Sequence, residues 1–130
     1  MNISLKGKNA LVGGSSKGIG KAAAIELAAL GANITLVSRS PEIMSEIVHE
    51  LDTSQGQDHD FLVADFSDPE DLKKKAIALS ITKPIHILIN NTGGPRGGAI
   101  VNAELDEFLQ AINNHPVSYT HLTLPTTPYV

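Results

Sequence analysis

Cysteine is absent from this sequence, which excludes disulfides, a thiolate nucleophile and the common structural zinc sites. Aromatic residues are scarce as well. With no Trp, three Phe and two Tyr, the chain offers few platforms on which a nucleic-acid base could stack, and a net charge of −4 disfavours the same partner. No apolar run reaches the roughly 18 residues that a membrane helix needs, and the start MNISLKGKNA lacks a signal-peptide core. The expectation is a cytoplasmic domain without nucleic acid or membrane as partner. The five His (His49, His59, His86, His115 and His121) are scattered without paired ligand spacing, so no metal site is expected. What remains is 130 residues, 42% of them hydrophobic, enough for one compact domain with a real core and too few for two.

The most informative stretch that is present runs from Gly13 to Gly20, GGSSKGIG, directly after the apolar run Ala10, Leu11, Val12. A strand, a glycine turn and a helix start follow in that order. Glycine can take φ > 0 or let another chain approach closely, and the start of a helix offers unpaired N–H groups and a positive dipole end to an anion. The turn residues Gly14, Ser15, Ser16, Lys17, Gly18, Ile19 and Gly20 are therefore candidate contacts to a dinucleotide pyrophosphate. The G-x-G-x-x-G/A pattern is matched by Gly18, Gly20 and Ala23, but five residues separate Val12 from Gly18; the spacing Gly14, Gly18, Gly20 fits the turn better. A Walker A loop fails, because Gly20-Lys21 is followed by Ala22 and preceded at the required spacing by Ser15. On the turn alone, an ordinary glycine-rich strand-to-helix connection would read the same way.

Apolar runs suited to buried parallel strands, at 9–13, 33–38, 60–64 and 85–90, alternate with helical patterns. Ile19, Ala23, Leu27 and Leu30 fall on one helical face, and Gly31 supplies a stop. Ser40 as cap and Pro41 start a helix carrying Ile43, Ile47 and Leu51; Asp68-Pro69-Glu70 opens a third, with Leu72, Ala76 and Leu79 facing inward. A last helix, from about Ala103 to Asn114, follows a glycine-rich loop. The β-α-β-α-β-α-β order predicts right-handed crossovers and a parallel sheet between two helical layers.

Three further landmarks follow strand ends. The second strand ends Val37, Ser38, Arg39, where an acidic residue would mark NAD and a basic one accommodates a 2′-phosphate. With Lys17 near the same corner, Ser38 and Arg39 point to NADP(H). In the other reading both cations are solvated surface charges, or Arg39 pairs with Glu42. Asp65 and Phe66 follow the third strand, where Asp65 could bind a ligand or cap the next helix. Asn90, Asn91, Thr92 and Gly93 end the fourth, and the loop Gly94-Pro95-Arg96-Gly97-Gly98 would border the substrate side or be a plain connection.

Taken in order, these motifs resemble the short-chain dehydrogenase/reductase family. The turn is similar to its TGxxxGxG signature, with Gly13 where Thr is usual; Asp65-Phe66 resembles its Asp-hydrophobic pair, whose carboxylate meets the adenine amino group; Asn90 to Gly93 resembles Asn-Asn-Ala-Gly, with Thr92 for Ala. Over residues 5–114 the chain is similar to the N-terminal half of 3-oxoacyl-(acyl-carrier-protein) reductases and related carbonyl reductases. The resemblance implies a Rossmann-like α/β/α fold with sheet order 3-2-1-4, NADP(H) as cofactor, a small-molecule carbonyl substrate, and a homo-oligomer in the full-length protein. In such enzymes the nicotinamide delivers a hydride, a Tyr supplies the proton, a Lys lowers that Tyr's pKa, and a Ser positions the carbonyl oxygen. None of the three is expected here, since Tyr119 is followed four residues later by Thr123 rather than Lys. The family's further Asn, on the helix after the fourth strand, falls near Asn114, with His115 at the closest ungapped position.

The composition changes near the end. No Lys or Arg follows Arg96, and from Pro116 to Val130 there is no charge, with three Pro and four Thr. The string VSYTHLTLPTT resembles the translation of a transposase adapter used in preparing DNA sequencing libraries. Residues 1–115 are therefore read as a partial dinucleotide-binding domain truncated after the fourth strand and its helix, and 116–130 as a non-native or disordered tail. The expectation for the fragment itself is inactivity. A non-catalytic dinucleotide-binding or sensing module is the alternative, and a methyltransferase-like nucleotide domain a third reading that leaves Asn90 to Gly93 unexplained.

Overall fold

The computed structural model describes residues 3–92, 104–117, 119–120 and 122–123. Strands β1 (Asn9–Gly13), β2 (Asn33–Ser38), β3 (Asp60–Val63) and β4 (Ile87–Ile89) alternate with helices α1 (Gly18–Ala29), α2 (Pro41–Glu50) and α3 (Pro69–Thr82); α4 (Leu105–Ile112) follows. All pairings are parallel, in the order β3-β2-β1-β4, as the sequence predicts.

Two cores explain why the middle residues of the central strands are nearly all apolar. Ala10 and Val12 of β1 pack with Ile34 and Leu36 against α1 and α2, whereas Leu11 and Val37 point to the opposite side, with Leu72 and Ala76 of α3. A strand covered on both faces has no position for a polar residue to reach water. The exception is Thr35, which is buried.

The helices depart from their expected faces in two places. In α1 the buried residues are Gly20, Ala24 and Ala28, while Ile19 is 79% exposed. The small residues form the inward stripe because α1 lies against the chain that leaves β1, and a Cβ on Gly20 would collide with the Gly14 carbonyl. In α2 Met44 and Ile47 are buried, followed by Leu51, and Ile43 faces outward. Ser40 makes no side-chain cap; instead its N–H donates to Ser38 Oγ at 3.2 Å. Asp68 does cap α3, accepting the Asp71 N–H at 3.2 Å, with Pro69 in the first turn as its fixed φ favours.

β3 and β4 are shorter than expected, and β4 has a specific reason. The Asn9 N–H at the start of β1 donates to the ring Nδ1 of His86 at 2.9 Å, so a side chain replaces the ladder bond there. His59 does the same for β2, its Nδ1 accepting the Ile34 N–H at 3.0 Å while its Nε2 donates to the Asp52 carbonyl at 2.7 Å. α4 opens with a capping box between Glu104 and Glu107 and runs on as a π-helical turn, Asn113–Val117, that contains Pro116. Beyond it, Leu122 is buried in the α3-side core and the Tyr119 ring meets Phe66 edge-on, centroids 6.2 Å apart. Among the described residues no helix is long and apolar enough to cross a membrane.

Candidate functional site

In a parallel sheet every strand ends on the same side, so the segments after Gly13, Ser38, Val63 and Ile89 converge along one edge. This edge carries nearly all the chemistry marked in the sequence. Its centre is the glycine turn. Gly14 and Gly18 have φ of +56° and +62°, a region that side chains with Cβ rarely adopt. A Cβ on Gly14 would also sit 2.7 Å from Asn91 Nδ2 and 2.8 Å from the Asn91 carbonyl oxygen. Glycine is thus favoured at both positions, at Gly14 by conformation and space and at Gly18 by conformation alone.

At the start of α1, Lys17 is extended and provides no side-chain cap, and no acidic side chain lies in the first turn. The N–H groups that open a helix have no partner within it, so an uncapped start beside a glycine turn favours an anion. Lys17, Gly18 and Ile19 are exposed there, and Ser16 is half-buried.

Ser15 differs from its neighbours. It is 0% exposed, its Oγ accepting the Val37 N–H at 3.1 Å and donating to the Val37 carbonyl at 3.4 Å. Its hydroxyl faces β2, away from any ligand in the turn.

Beyond β2, Arg39 is exposed. Among the described residues the ion pairs are Lys21–Glu50 and Lys75–Asp71, so neither Lys17 nor Arg39 is engaged in one, and Glu42 does not hold Arg39. Asp65 stands close enough to feel the Arg39 charge. Burial raises the Asp65 carboxyl, but hydrogen bonds from the Ser67 N–H and hydroxyl, together with Arg39, outweigh it and hold the pKa below the ordinary value. Phe66, next in sequence, turns inward and is 6% exposed. The end of β3 is tied down by Lys75, whose Nζ donates to the Val63 carbonyl at 2.7 Å.

At the end of β4, Asn91 Nδ2 reaches the carbonyls of Gly13 and Gly14 at 3.5 and 3.4 Å, bracing the turn from the other side. Asn90 is exposed and Thr92 half-buried. Gly93 and the loop through Arg96 lie outside the described residues, and of Asn114 only the backbone, in the π-helical turn, is described. Burial raises the Tyr119 phenol above its usual value, which makes it a poorer proton donor at neutral pH. The reach of the Phe66 ring to Gly13 was not legible; its signal was a bare Gly where a side chain is usual. Among the described residues no group of three or more His, Asp or Glu could hold a metal ion.

Comparison with known proteins bears on this edge. The family profile described as short chain dehydrogenase matches residues 8–130. An NADPH-dependent aldehyde reductase-like chloroplastic protein of Arabidopsis thaliana is 34% identical over 119 residues, covering 82% of this chain and 44% of that protein. The L-rhamnose 1-dehydrogenase (NADP(+)) of Thermoplasma acidophilum is 36% identical over 92 residues, covering 70% and 36%. Among solved structures, L-sorbose reductase from Gluconobacter frateurii, complexed with NADPH and L-sorbose, superposes with a TM-score of 0.88 at 26% identity, covering 98% of this chain and 49% of that one. The chain spans less than half the length of the curated relatives it matches.

Proposed function

Because the chain belongs to the short-chain dehydrogenase family, we propose that it is the coenzyme-holding part of an NADP(H)-dependent oxidoreductase that interconverts a carbonyl and an alcohol. The observation that carries this reading is the uncapped start of α1 behind two glycines of positive φ, with Lys17 and Arg39 outside any ion pair among the described residues. The residues fit the coenzyme. The space beside Gly14 and Gly20 is closed to a Cβ, so bare main chain faces the turn.

In this reading the N–H groups at the start of α1 hold the pyrophosphate, and Lys17 and Arg39 hold the 2′-phosphate. Asp65 accepts from the adenine amino group, and Asn90, Asn91 and Gly93 border the ribose. Exposed Ile19 offers an apolar surface beside them. When bound, the nicotinamide supplies the hydride. Charge-assisted hydrogen bonds contribute about 1.5 to 3 kcal/mol each, so each cation contact gives about a 10- to 100-fold preference for NADP(H) over NAD(H).

The substrate class is a carbonyl of the 3-oxoacyl type or a close equivalent. In this reading the chain itself turns over no substrate, since Tyr119 is followed at the fourth position by Thr123 rather than Lys. The full-length protein is a homo-oligomer, and α4 supports this. Leu105, Leu109 and Ile112 recur along one side of the helix and are 73%, 49% and 49% exposed, an apolar stripe suited to a second copy.

A thermal-shift comparison tests the reading. NADPH raises the melting temperature more than NADH does, and S-adenosylmethionine leaves it unchanged. Stabilisation by S-adenosylmethionine alone would transfer the site to another class of nucleotide domain, and carbonyl-dependent NADPH oxidation above a blank would overturn inactivity.

A further inference from the structure

Ser15 holds a position that coenzyme contact does not explain. β1 pairs with β2 in a register that sets Gly13 opposite Val37, and after Gly13 the main chain turns away into the glycine turn. Val37 is the last β2 residue whose N–H and carbonyl face β1 within that ladder. Ser15 Oγ joins this last step, accepting from the Val37 N–H at 3.1 Å and donating to the Val37 carbonyl at 3.4 Å, with Ser15 0% exposed. The side chain thus reinforces the last step of the ladder, where the β1 backbone leaves for the glycine turn.

The spacing on either side gives this clasp its meaning. Two residues beyond Ser15 stands Lys17, and two residues beyond Val37 stands Arg39. Both are exposed; Lys17 follows the turn of Gly14 to Ser16 and Arg39 follows directly on β2, so their separation is set largely by what anchors the turn to the end of β2. On the β2 side the Ser38 hydroxyl, holding the Ser40 N–H at 3.2 Å, stiffens the turn that carries Arg39. On the other side Asn91 braces Gly13 and Gly14. Between the two sides the described side-chain link is Ser15.

We infer that Ser15 is a positioning residue for coenzyme discrimination: it fixes the distance between Lys17 and Arg39 at which both cations meet one 2′-phosphate. The inference rests on the proposed NADP(H) reading and deepens it. The Ser15 side chain does not reach the ligand; its effect travels through two residues of main chain in each direction. Loss of the clasp therefore relaxes the two-cation site more than it weakens the pyrophosphate site, which is built from the α1 start and the glycines.

The test is the ratio of NADPH to NADH dissociation constants, measured by fluorescence titration on the 130-residue chain for wild type, Ser15→Ala, Ser15→Cys and Arg39→Asp. One neutral hydrogen bond is worth about 0.5 to 1.5 kcal/mol, so Ser15→Ala is expected to lower the preference for NADPH about three- to ten-fold while NADH affinity moves less than about two-fold. Ser15→Cys, near in size with a weaker donor and acceptor, gives an intermediate ratio and remains informative should Ser15→Ala fail to fold. A wild-type ratio in any folded Ser15 variant, with Arg39→Asp abolishing the preference, would overturn the inference and leave the coenzyme reading intact. Equal loss of NADPH and NADH affinity would also overturn it, assigning Ser15 a purely structural role. A wild type without preference would overturn both.

Discussion

The ring of Phe66 and the bare Cα of Gly13 occupy one shared space at the carboxyl end of β1: a Cβ on Gly13 would lie 2.9 Å from Phe66 Cζ. On another side the same Cβ would lie 2.7 Å from the Asn91 carbonyl oxygen. Phe66 thus fills the room that a side chain at position 13 would take. Gly13→Ala is expected to cost about 1 to 3 kcal/mol by overpacking. In a Phe66→Val background the cost falls but does not vanish, because the Asn91 carbonyl stays. Chemical denaturation of the four variants checks this through a coupling energy of at least about 0.5 kcal/mol; additivity would separate the two residues.

The glycines of the turn are expected to differ in their intolerance. A Cβ on Gly20 would run into the Gly14 carbonyl, whereas one on Gly18 would meet nothing within 4 Å and face only the strain of φ +62°. That strain is about 1 to 2 kcal/mol for a residue with Cβ. Gly18→Ala should therefore fold with modest destabilisation, and Gly20→Ala should lose more stability and NADPH binding together. Thermal melts with and without NADPH rank the two, and the reverse order would contradict the geometry.

Far from the site, His59 links two segments of main chain. The Ile34 N–H can only donate, so Nδ1 accepts and the ring proton sits on Nε2, donating to the Asp52 carbonyl. His59→Ala leaves the half-buried end of β2 short of a partner and should cost about 1 to 3 kcal/mol. NADPH affinity of the folded variant should stay within about two-fold of wild type. A large loss of affinity at unchanged stability would run against this placement.

Acid should weaken the fold partly through Asp65. Its folded pKa lies below the ordinary 3.8, so the unfolded chain takes up the proton first as pH falls. The stabilisation is present above the ordinary value and is lost as pH drops through the lower, folded value. Denaturation midpoints from pH 6 to pH 2.5 should fall less steeply for Asp65→Asn than for wild type, and parallel profiles would show that Asp65 carries no such linkage.

How far the sequence could be read depends on where each residue's information lies. β1 and β2 were legible to the residue because both faces are covered and turn signals bound them; β4 was not, since His86 takes over a ladder bond that a pattern cannot foresee. On α1 bulk suggests Ile19 as an inward residue, whereas close approach to the glycine turn demands Gly20, Ala24 and Ala28. The edge where the site lies followed from parallel topology alone. The direction of its side chains did not: the motif marks Ser15 and Phe66 as coenzyme contacts, and both side chains are buried in the fold, so any such contact falls to their main chain. A motif fixes which residue stands in the turn, not the direction its side chain takes.

NADP(H) selection in this chain rests on Lys17 and Arg39 meeting one 2′-phosphate. Titration calorimetry with NADPH and NADH on wild type and Arg39→Asp tests it most directly. Wild type is expected to bind NADPH at least about ten-fold more tightly, and Arg39→Asp to erase or reverse that preference while still binding NADH. Equal affinities in wild type, or a preference that survives the substitution, would contradict it.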